Sequence, residues 1–370
     1  MKLLYAITAH GFGHATRACT VAGLLQRFYP ELEITFSTAV AADAMQRFSV
    51  SSAVRQFNLR QQDYEPGLIQ HTCFELDAAA TRYQYQLLSR QLDQRVARET
   101  RFLQQHGFDA VLSDVAAIPV AAASELGLPA AVIGNFSWDW ILQPVFAGQP
   151  ELMAYLERMQ HQYHSAAMYF RLPFHATQHP FRQVQEAPLI GRRSCLSRHT
   201  ILSRLGITHD QERPLILVAV GGWQATDLGS IQVDGCADYR FLVVGDLPIN
   251  TPEAELVRLP FELGSGVGFP DLVKIADAGI VKPGYGTCSE FVINASRMIG
   301  ITRTDNREAP VLREATERYI PYRPMSLEDF LGGQWRQALD HIMASSPQAF
   351  PCQEQELETF AASIMKAIGR

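Results

Sequence analysis

The chain has 370 residues, 47% of them hydrophobic and 19% charged, with 25 glycines and 20 prolines. That is too long for one compact core, suits two domains, and excludes a disordered or fibrous chain. Thirty-two basic against thirty-eight acidic residues give a formal net charge of −6, so no footprint for nucleic acid or another polyanion exists and any anion must be held locally.

The N-terminal apolar run breaks at His10-Gly11, and no later run approaches membrane-spanning length. Neither a signal peptide nor an integral membrane segment is expected, and the expected location is cytoplasmic. Short apolar, β-branched runs predict strands at 3–8, 33–37, 110–113, 130–134 and 168–172, with helices over 16–28 and 83–105 between them. The basic, serine- and arginine-containing segment 191–213 carries one short helix before Gly206 and is expected to be a linker. Beyond it, runs at 215–220, 241–244, 256–259, 278–281 and 298–301 predict strands, and 270–277, 289–296 and 311–318 predict helices. From 353 onward Leu357, Phe360, Ala361, Ile364, Met365 and Ile368 recur at helical spacing, the pattern of a packed terminal helix. Strands alternating with helices predict an α/β chain of parallel sheets, with Rossmann-like domains over 1–190 and 214–352 and a C-terminal helix over 353–370. The six cysteines include no C-x-x-C pair, as expected of reduced thiols rather than a disulfide frame or zinc site.

The first glycine-rich turn, His10-Gly11-Phe12-Gly13-His14-Ala15-Thr16-Arg17, follows the first strand and opens a helix. Gly11 and Gly13 allow close approach of a ligand, and the first helical amides attract an anion such as a diphosphate. As a dinucleotide fingerprint it fails: Thr16 takes the third glycine position, and no acid ends the second strand. A plain turn capped by His10 and His14 is the alternative.

The second, Val281-Lys282-Pro283-Gly284-Tyr285-Gly286-Thr287-Cys288-Ser289-Glu290, is again strand, turn and helix. Gly284, Gly286 and the amides of Thr287 and Cys288 suit phosphate oxygens, and Glu290 suits the paired hydroxyls of a ribose. Equally, Thr287 or Ser289 can be an N-cap and Glu290 an acid favoured by the helix dipole. A third turn, Gly221-Gly222-Trp223, makes room for a ligand at an interdomain cleft. A fourth segment, Asn135-Phe136-Ser137-Trp138-Asp139-Trp140, either lines an acceptor pocket or anchors a loop. P-loop, G-x-S-x-G, H-E-x-x-H and D-x-D motifs are absent, so phosphates would be neutralised by amides and by Lys282, Arg307 or Arg17, with no metal and no cofactor.

These motifs, with the Ser113-Asp114 step, resemble the glycosyltransferase-like N-terminal region of plant L-arabinokinases and its stand-alone bacterial relatives. The resemblance does not extend to the sugar-kinase domain of those plant proteins, so no kinase activity is expected of these residues. More distantly, 284–290 and Thr304-Asp305-Asn306-Arg307-Glu308 are similar to the donor-binding half of the peptidoglycan N-acetylglucosaminyltransferase. The resemblance implies a GT-B fold, two Rossmann-like α/β domains facing a cleft. It places the diphosphate of a nucleotide sugar, a uridine one, on Gly284 and Thr287 and the ribose on Glu290, and matches the N-terminal turn to the acceptor-side turn; with the turns and cations above, the full expected donor-binding set is Gly11, Gly13, Arg17, Gly222, Trp223, Lys282, Gly284, Tyr285, Gly286, Thr287, Ser289, Glu290, Asp305 and Arg307. Trp138 and Asp139 fall on the acceptor side. A Gln-Gln pair reads the donor sugar in that family; Arg307-Glu308 replaces it here, which leaves the sugar open.

An inverting transfer needs a base for the acceptor hydroxyl and positive dipoles for the departing diphosphate. Histidine exchanges protons near neutral pH, so His14 is the expected base, His10 the second choice, and Asp114 the residue that orients either. The expected activity is a metal-independent inverting hexosyl- or N-acetylhexosaminyltransferase with an unknown acceptor. The alternatives are a non-catalytic sugar-nucleotide sensor and a nucleotide-sugar 2-epimerase on the same fold.

Overall fold

The structure, a computed structural model, describes residues 1–208, 212–221, 228–260, 266–351 and 353–369. The chain divides into two compact units. Unit 1 comprises Met1–Ile69, Asp77–Ile190 and Cys352–Arg370; unit 2 comprises Gln70–Leu76 and Gly191–Pro351.

Among the described residues unit 1 has a seven-stranded sheet of β1 (Lys2–Ile7), β2 (Glu33–Thr38), β3 (Asn58–Gln61), β4 (Ala110–Asp114), β5 (Ala130–Gly134), β6 (Met168–Arg171) and β7 (Val184–Glu186). The strands lie in the order β3-β2-β1-β4-β5-β6-β7, and every pairing is parallel. The connections run through α1 (Phe12–Phe28), α2 (Ala42–Ser51), α3 (Ala78–His106), α4 (Ile118–Glu125), α5 (Trp138–Phe146) and α6 (Pro150–His164). All five residues of β4 and of β5 are buried. Such strands read as unbroken apolar runs because helices cover both faces of a parallel sheet.

Unit 2 carries β8 (Leu215–Ala219), β9 (Ile231–Gln232), β10 (Arg240–Val244), β11 (Ile249–Asn250), β12 (Glu255–Leu259), β13 (Ala278–Val281), β14 (Met298–Ile301) and β15 (Tyr322–Met325). Six of these form a parallel sheet in the order β12-β10-β8-β13-β14-β15, and β9 and β11 pair separately. Its helices are α7 (Arg198–Leu205), α8 (Phe269–Ile275), α9 (Tyr285–Ile293), α10 (Ala309–Glu317), α11 (Leu327–Leu331) and α12 (Arg336–Met343). The chain ends in α13 (Glu354–Ala367), which belongs to unit 1, where Phe360 meets Phe170 edge-on at 5.5 Å.

Three features depart from the sequence reading. Segment 191–213, expected as a linker, belongs to unit 2 from Gly191 onward. Ser194 donates from its backbone to Asn294 and from its hydroxyl to Asp271, and α7 is capped by the Ser197 side chain and ended by Gly206 in a left-handed conformation. The stretch Gln70–Leu76, between β3 and α3, joins unit 2: Cys73 and Phe74 are buried with the apolar residues of β8, β10 and β13, and Phe74 packs on Phe330 with ring centroids 5.9 Å apart. Helix α9 begins at Tyr285, four residues ahead of the expected start, because Gly284 is its N-cap and the glycine-rich turn forms its first turn.

Each sheet has a topological switch point, between β1 and β4 in unit 1 and between β8 and β13 in unit 2. Ligands of open parallel sheets bind beyond the carboxyl ends of the strands at these points.

Candidate active site

In unit 1 the polar chemistry gathers at the β1/β4 switch. Helix α1 starts from Gly11, whose φ of 72° is a left-handed conformation natural to glycine. One turn on, His14 and Arg17 stand three residues apart, the spacing that puts two side chains on one face. They meet Asp114, the fully buried last residue of β4. Its Oδ1 lies 2.6 Å from His14 Nδ1 and accepts from Arg17 Nη2 at 2.7 Å; its Oδ2 accepts from Arg17 Nε at 2.7 Å. Arg17 Nη1 reaches Asn135 Oδ1 at 3.1 Å.

Burial pushes the Asp114 carboxyl up, but the charge and hydrogen bonds of Arg17, followed by those of His14, outweigh it and hold the group below the usual carboxylate range. A carboxylate has no proton to give, so His14 Nδ1 is the donor in the 2.6 Å contact. That fixes the tautomer and leaves the Nε2 lone pair as acceptor. Arg17 Nη2 also stands 3.1 Å from His14 Nδ1, but with Nδ1 protonated the two are donors sharing one oxygen. Directly after Asp114, Val115 has a φ of 54°, a left-handed conformation costly for a β-branched residue. Tyr163 Oη donates to its carbonyl at 2.5 Å and holds it there.

Aromatic rings frame the histidines. Trp138 lies 5.3 Å from His10, edge-on, and 5.9 Å from His14; Phe136 stands edge-on to His14 at 5.7 Å. Gly67, at φ +69°, makes room for His10: a Cβ there would fall 2.6 Å from the imidazole. Of the two histidines, His14 is the one in the 2.6 Å contact with Asp114. Trp138 Nε1 and Asp139 Oδ1 are buried without a hydrogen-bond partner among the described residues, while Asp139 Oδ2 accepts from Gln160 at 3.0 Å. Glu65, which the sequence reading passed over, is buried nearby in the sequence of Gly67. Its Oε1 accepts from the amides of Ala117 at 2.9 Å and Ile118 at 3.2 Å, its Oε2 has no partner among the described residues, and burial raises the carboxyl to about 7.

In unit 2, Gly221 follows β8 and Lys282 follows β13 at the second switch. Helix α9 opens at Gly284 with Tyr285, Gly286 and Thr287 in its first turn, whose amides have no acceptor within the helix. The Cys288 amide, expected to face a phosphate, donates to Gly284 C=O at 2.9 Å and belongs to the helix ladder. Lys282 Nζ donates to Cys73 C=O at 3.2 Å, and Asp305 Oδ2 accepts from the Leu76 amide at 2.5 Å. Arg307 is half-buried. Gly222 and Trp223 lie outside the described residues, as do residues 261–265.

Three expected donor ligands are committed elsewhere. Arg17, expected as a phosphate cation, is buried with its guanidinium donating to Asp114 and Asn135. Ser289 is fully buried, its hydroxyl donating to Gly286 C=O at 3.0 Å. Glu290, expected at a ribose, is buried with Oε1 accepting from Arg192 Nε at 2.5 Å. Burial raises its carboxyl although Arg192 pulls the other way. Spacing along one helix could not show that positions 289 and 290 both turn inward.

No protein-family model matches the sequence. The chain is 27% identical to L-arabinokinase of Arabidopsis thaliana over 375 residues, which takes in 99% of this chain and 34% of that protein, so it spans about a third of the relative's length. Among solved structures, a UDP-glucosyltransferase from Polygonum tinctorium superposes with a TM-score of 0.60 at 14% identity, covering 99% of this chain and 93% of the other. UGT2 of Phytolacca americana, complexed with UDP-2fluoro-glucose and pterostilbene, gives 0.60 at 11% identity over 99% and 93%. MurG of Acinetobacter baumannii gives 0.53 at 14% identity over 99% and 98%. The chain has the GT-B fold of these glycosyltransferases.

Proposed function

We propose that this chain is a metal-independent, inverting glycosyltransferase that moves a hexosyl or N-acetylhexosaminyl group from a nucleotide-diphosphate sugar, a uridine one, to an acceptor hydroxyl. The observation that carries the reading is the buried His14–Asp114–Arg17 assembly. Asp114 holds His14 Nδ1–H, so Nε2 is the base. Nε2 takes the acceptor proton, the oxygen attacks the anomeric carbon from the face opposite the leaving group, and the electron pair of the breaking C–O bond stays with the nucleotide diphosphate. Asp114 stabilises the imidazolium that forms, and the proton is later lost to water.

The first-turn amides of α9 and Lys282 suit the departing diphosphate without a metal. Trp138 and Asp139 belong with the acceptor. The resemblance to L-arabinokinase and the fold shared with sugar transferases support the same reading.

Incubation with a panel of nucleotide sugars tests it. Nucleotide release that an acceptor accelerates is the expected result. Release of an altered free sugar without acceptor would make the protein an epimerase, and binding without turnover would make it a sensor. Thermal shift with UDP, GDP, dTDP and ADP comes first, since a ligand at 100 times its dissociation constant stabilises by about 2.7 kcal/mol.

A further inference from the structure

Lys282 and Arg303 stand beyond the carboxyl ends of the neighbouring strands β13 and β14, next to the switch point of the unit 2 sheet. The register Val281 opposite Gly300 sets Lys282 level with Ile301, two residues before Arg303, and the Arg303 charge is felt at the Lys282 ammonium. Neither is solvated in the ordinary way. The Arg303 side chain is 8% exposed, and its Nε, buried and without a hydrogen-bond partner, stands 3.9 Å from Asp305 Oδ1. Lys282 is held from Cys73 C=O, and no described carboxylate lies within ion-pair distance of its ammonium. Burial first, and then the Arg303 charge, brings the Lys282 ammonium down to about 8, while burial lowers Arg303 against the pull of Asp305 and Glu308. Only the Cys73 thiol acts in the opposite sense on Lys282.

Asp305 and Glu308 answer the charge of Arg303 but not that of Lys282, and a second buried cation within reach of the first is costly unless a further anion joins them. Fixing the 70–76 stretch would need one hydrogen bond from a neutral donor; an ammonium brings three donors, and the second cation adds nothing to that task. Gly221 lies against the same lysine, a Cβ there falling 3.9 Å from Nζ, so backbone approaches the ammonium from β8 as well.

We propose that Lys282 and Arg303 form an anion-binding pair that holds one oxyanion group of the substrate, either a phosphate of the nucleotide diphosphate or a carboxylate on an acidic donor sugar. This rests on the proposed function for the identity of the substrate that carries the oxyanion; the pair itself is defined by its own geometry.

Calorimetric titration of the full chain, its Arg303→Gln and Arg303→Lys variants and Lys282→Met with inorganic pyrophosphate, UDP, UDP-glucose and UDP-glucuronate tests it. If the diphosphate is the group, Arg303→Gln weakens pyrophosphate, UDP and both sugars alike by about 10- to 100-fold, as expected for a lost charge-assisted hydrogen bond, and Arg303→Lys recovers part of it. If a sugar carboxylate is the group, UDP and UDP-glucose bind the variants as they bind the wild type, and a wild-type preference for UDP-glucuronate over UDP-glucose disappears. Pyrophosphate binding that depends on Arg303, without any nucleotide binding, sustains the anion pair and overturns the glycosyltransferase reading. Variants that bind all four probes unchanged, or a wild type that binds none, overturn the pair. Should the variants fail to fold, the wild type still decides: pyrophosphate must bind it and compete with UDP-glucuronate, which occupies the pair through either of its anionic groups. Simultaneous binding of the two overturns the proposal.

Discussion

Arg17 and Asp114 meet in a two-bonded fork, Nε to Oδ2 and Nη2 to Oδ1, both at 2.7 Å, wholly within the core of unit 1. The fork sets both oxygens of the carboxylate, and through Oδ1 it sets the imidazole of His14. Arg17→Met removes the cation and leaves a buried carboxylate, which costs about 3–5 kcal/mol of stability. Urea unfolding should show a lower midpoint. An unchanged midpoint would mean that Asp114 does not depend on Arg17.

Substituting the partner separates orientation from charge. Asp114→Asn keeps the shape but presents an amide that can donate to His14 Nδ1, favouring the tautomer with its proton on Nε2. Turnover should fall by roughly 10²- to 10⁴-fold, with UDP affinity unchanged. His14→Ala should lose a comparable amount with the same split. His10→Ala should lose less, because the Asp114 contact belongs to His14. Single-turnover kinetics beside UDP titration reads both quantities, and equal losses at both histidines would undo the assignment.

Glu65 makes a prediction about pH. Burial raises its carboxyl from 4.5 in the unfolded chain to about 7 in the folded one. Between these values the folded state holds more protons than the unfolded state, so stability falls as pH rises from about 4.5 to about 7 and the full penalty remains above. The shift corresponds to a few kcal/mol, at about 1.4 per pH unit. Glu65→Gln keeps the acceptor oxygen for the Ala117 and Ile118 amides, and it should raise the melting temperature at pH 8 and leave it nearly unchanged at pH 4.5. A gain of equal size at both pH values would contradict this account.

Much of the fold was legible because parallel strands buried on both faces are unbroken apolar runs: β4, β5, β8 and β13 each stand within a residue or two of the pattern that announced them. Short polar edge strands such as β3 and β7 gave no such signal, since Asn58–Gln61 has no buried residue. The His14–Asp114 pair was legible as a possibility. A residue at the end of the first strand-to-helix turn and one at the end of a later strand meet if those strands are neighbours, and β1 and β4 are, with Ile7 opposite Asp114. What the sequence could not tell was where the arginines point. Arg17 looked like a phosphate cation and is a support for Asp114. Arg303, which no sequence pattern singled out, is buried, and its charge acts on Lys282.

Glu290 and Arg192 supply the last prediction. The carboxylate reads from the sequence as a ribose ligand, whereas the structure pairs it with Arg192, whose segment is held by Asn294 taking the Ser194 amide at 2.8 Å and donating to Arg192 C=O at 3.0 Å. A residue that holds ribose hydroxyls should discriminate UDP from 2′-deoxy-UDP, and removing it should erase the difference. A residue that holds Arg192 should leave the ratio untouched and weaken the fold, because a buried guanidinium loses its counter-charge. Glu290→Gln should therefore lower stability by about 3–5 kcal/mol, the range for breaking a buried pair, without changing the ratio of the two dissociation constants. A ratio that collapses to one in the variant would return Glu290 to the ribose and make the Arg192 pair secondary.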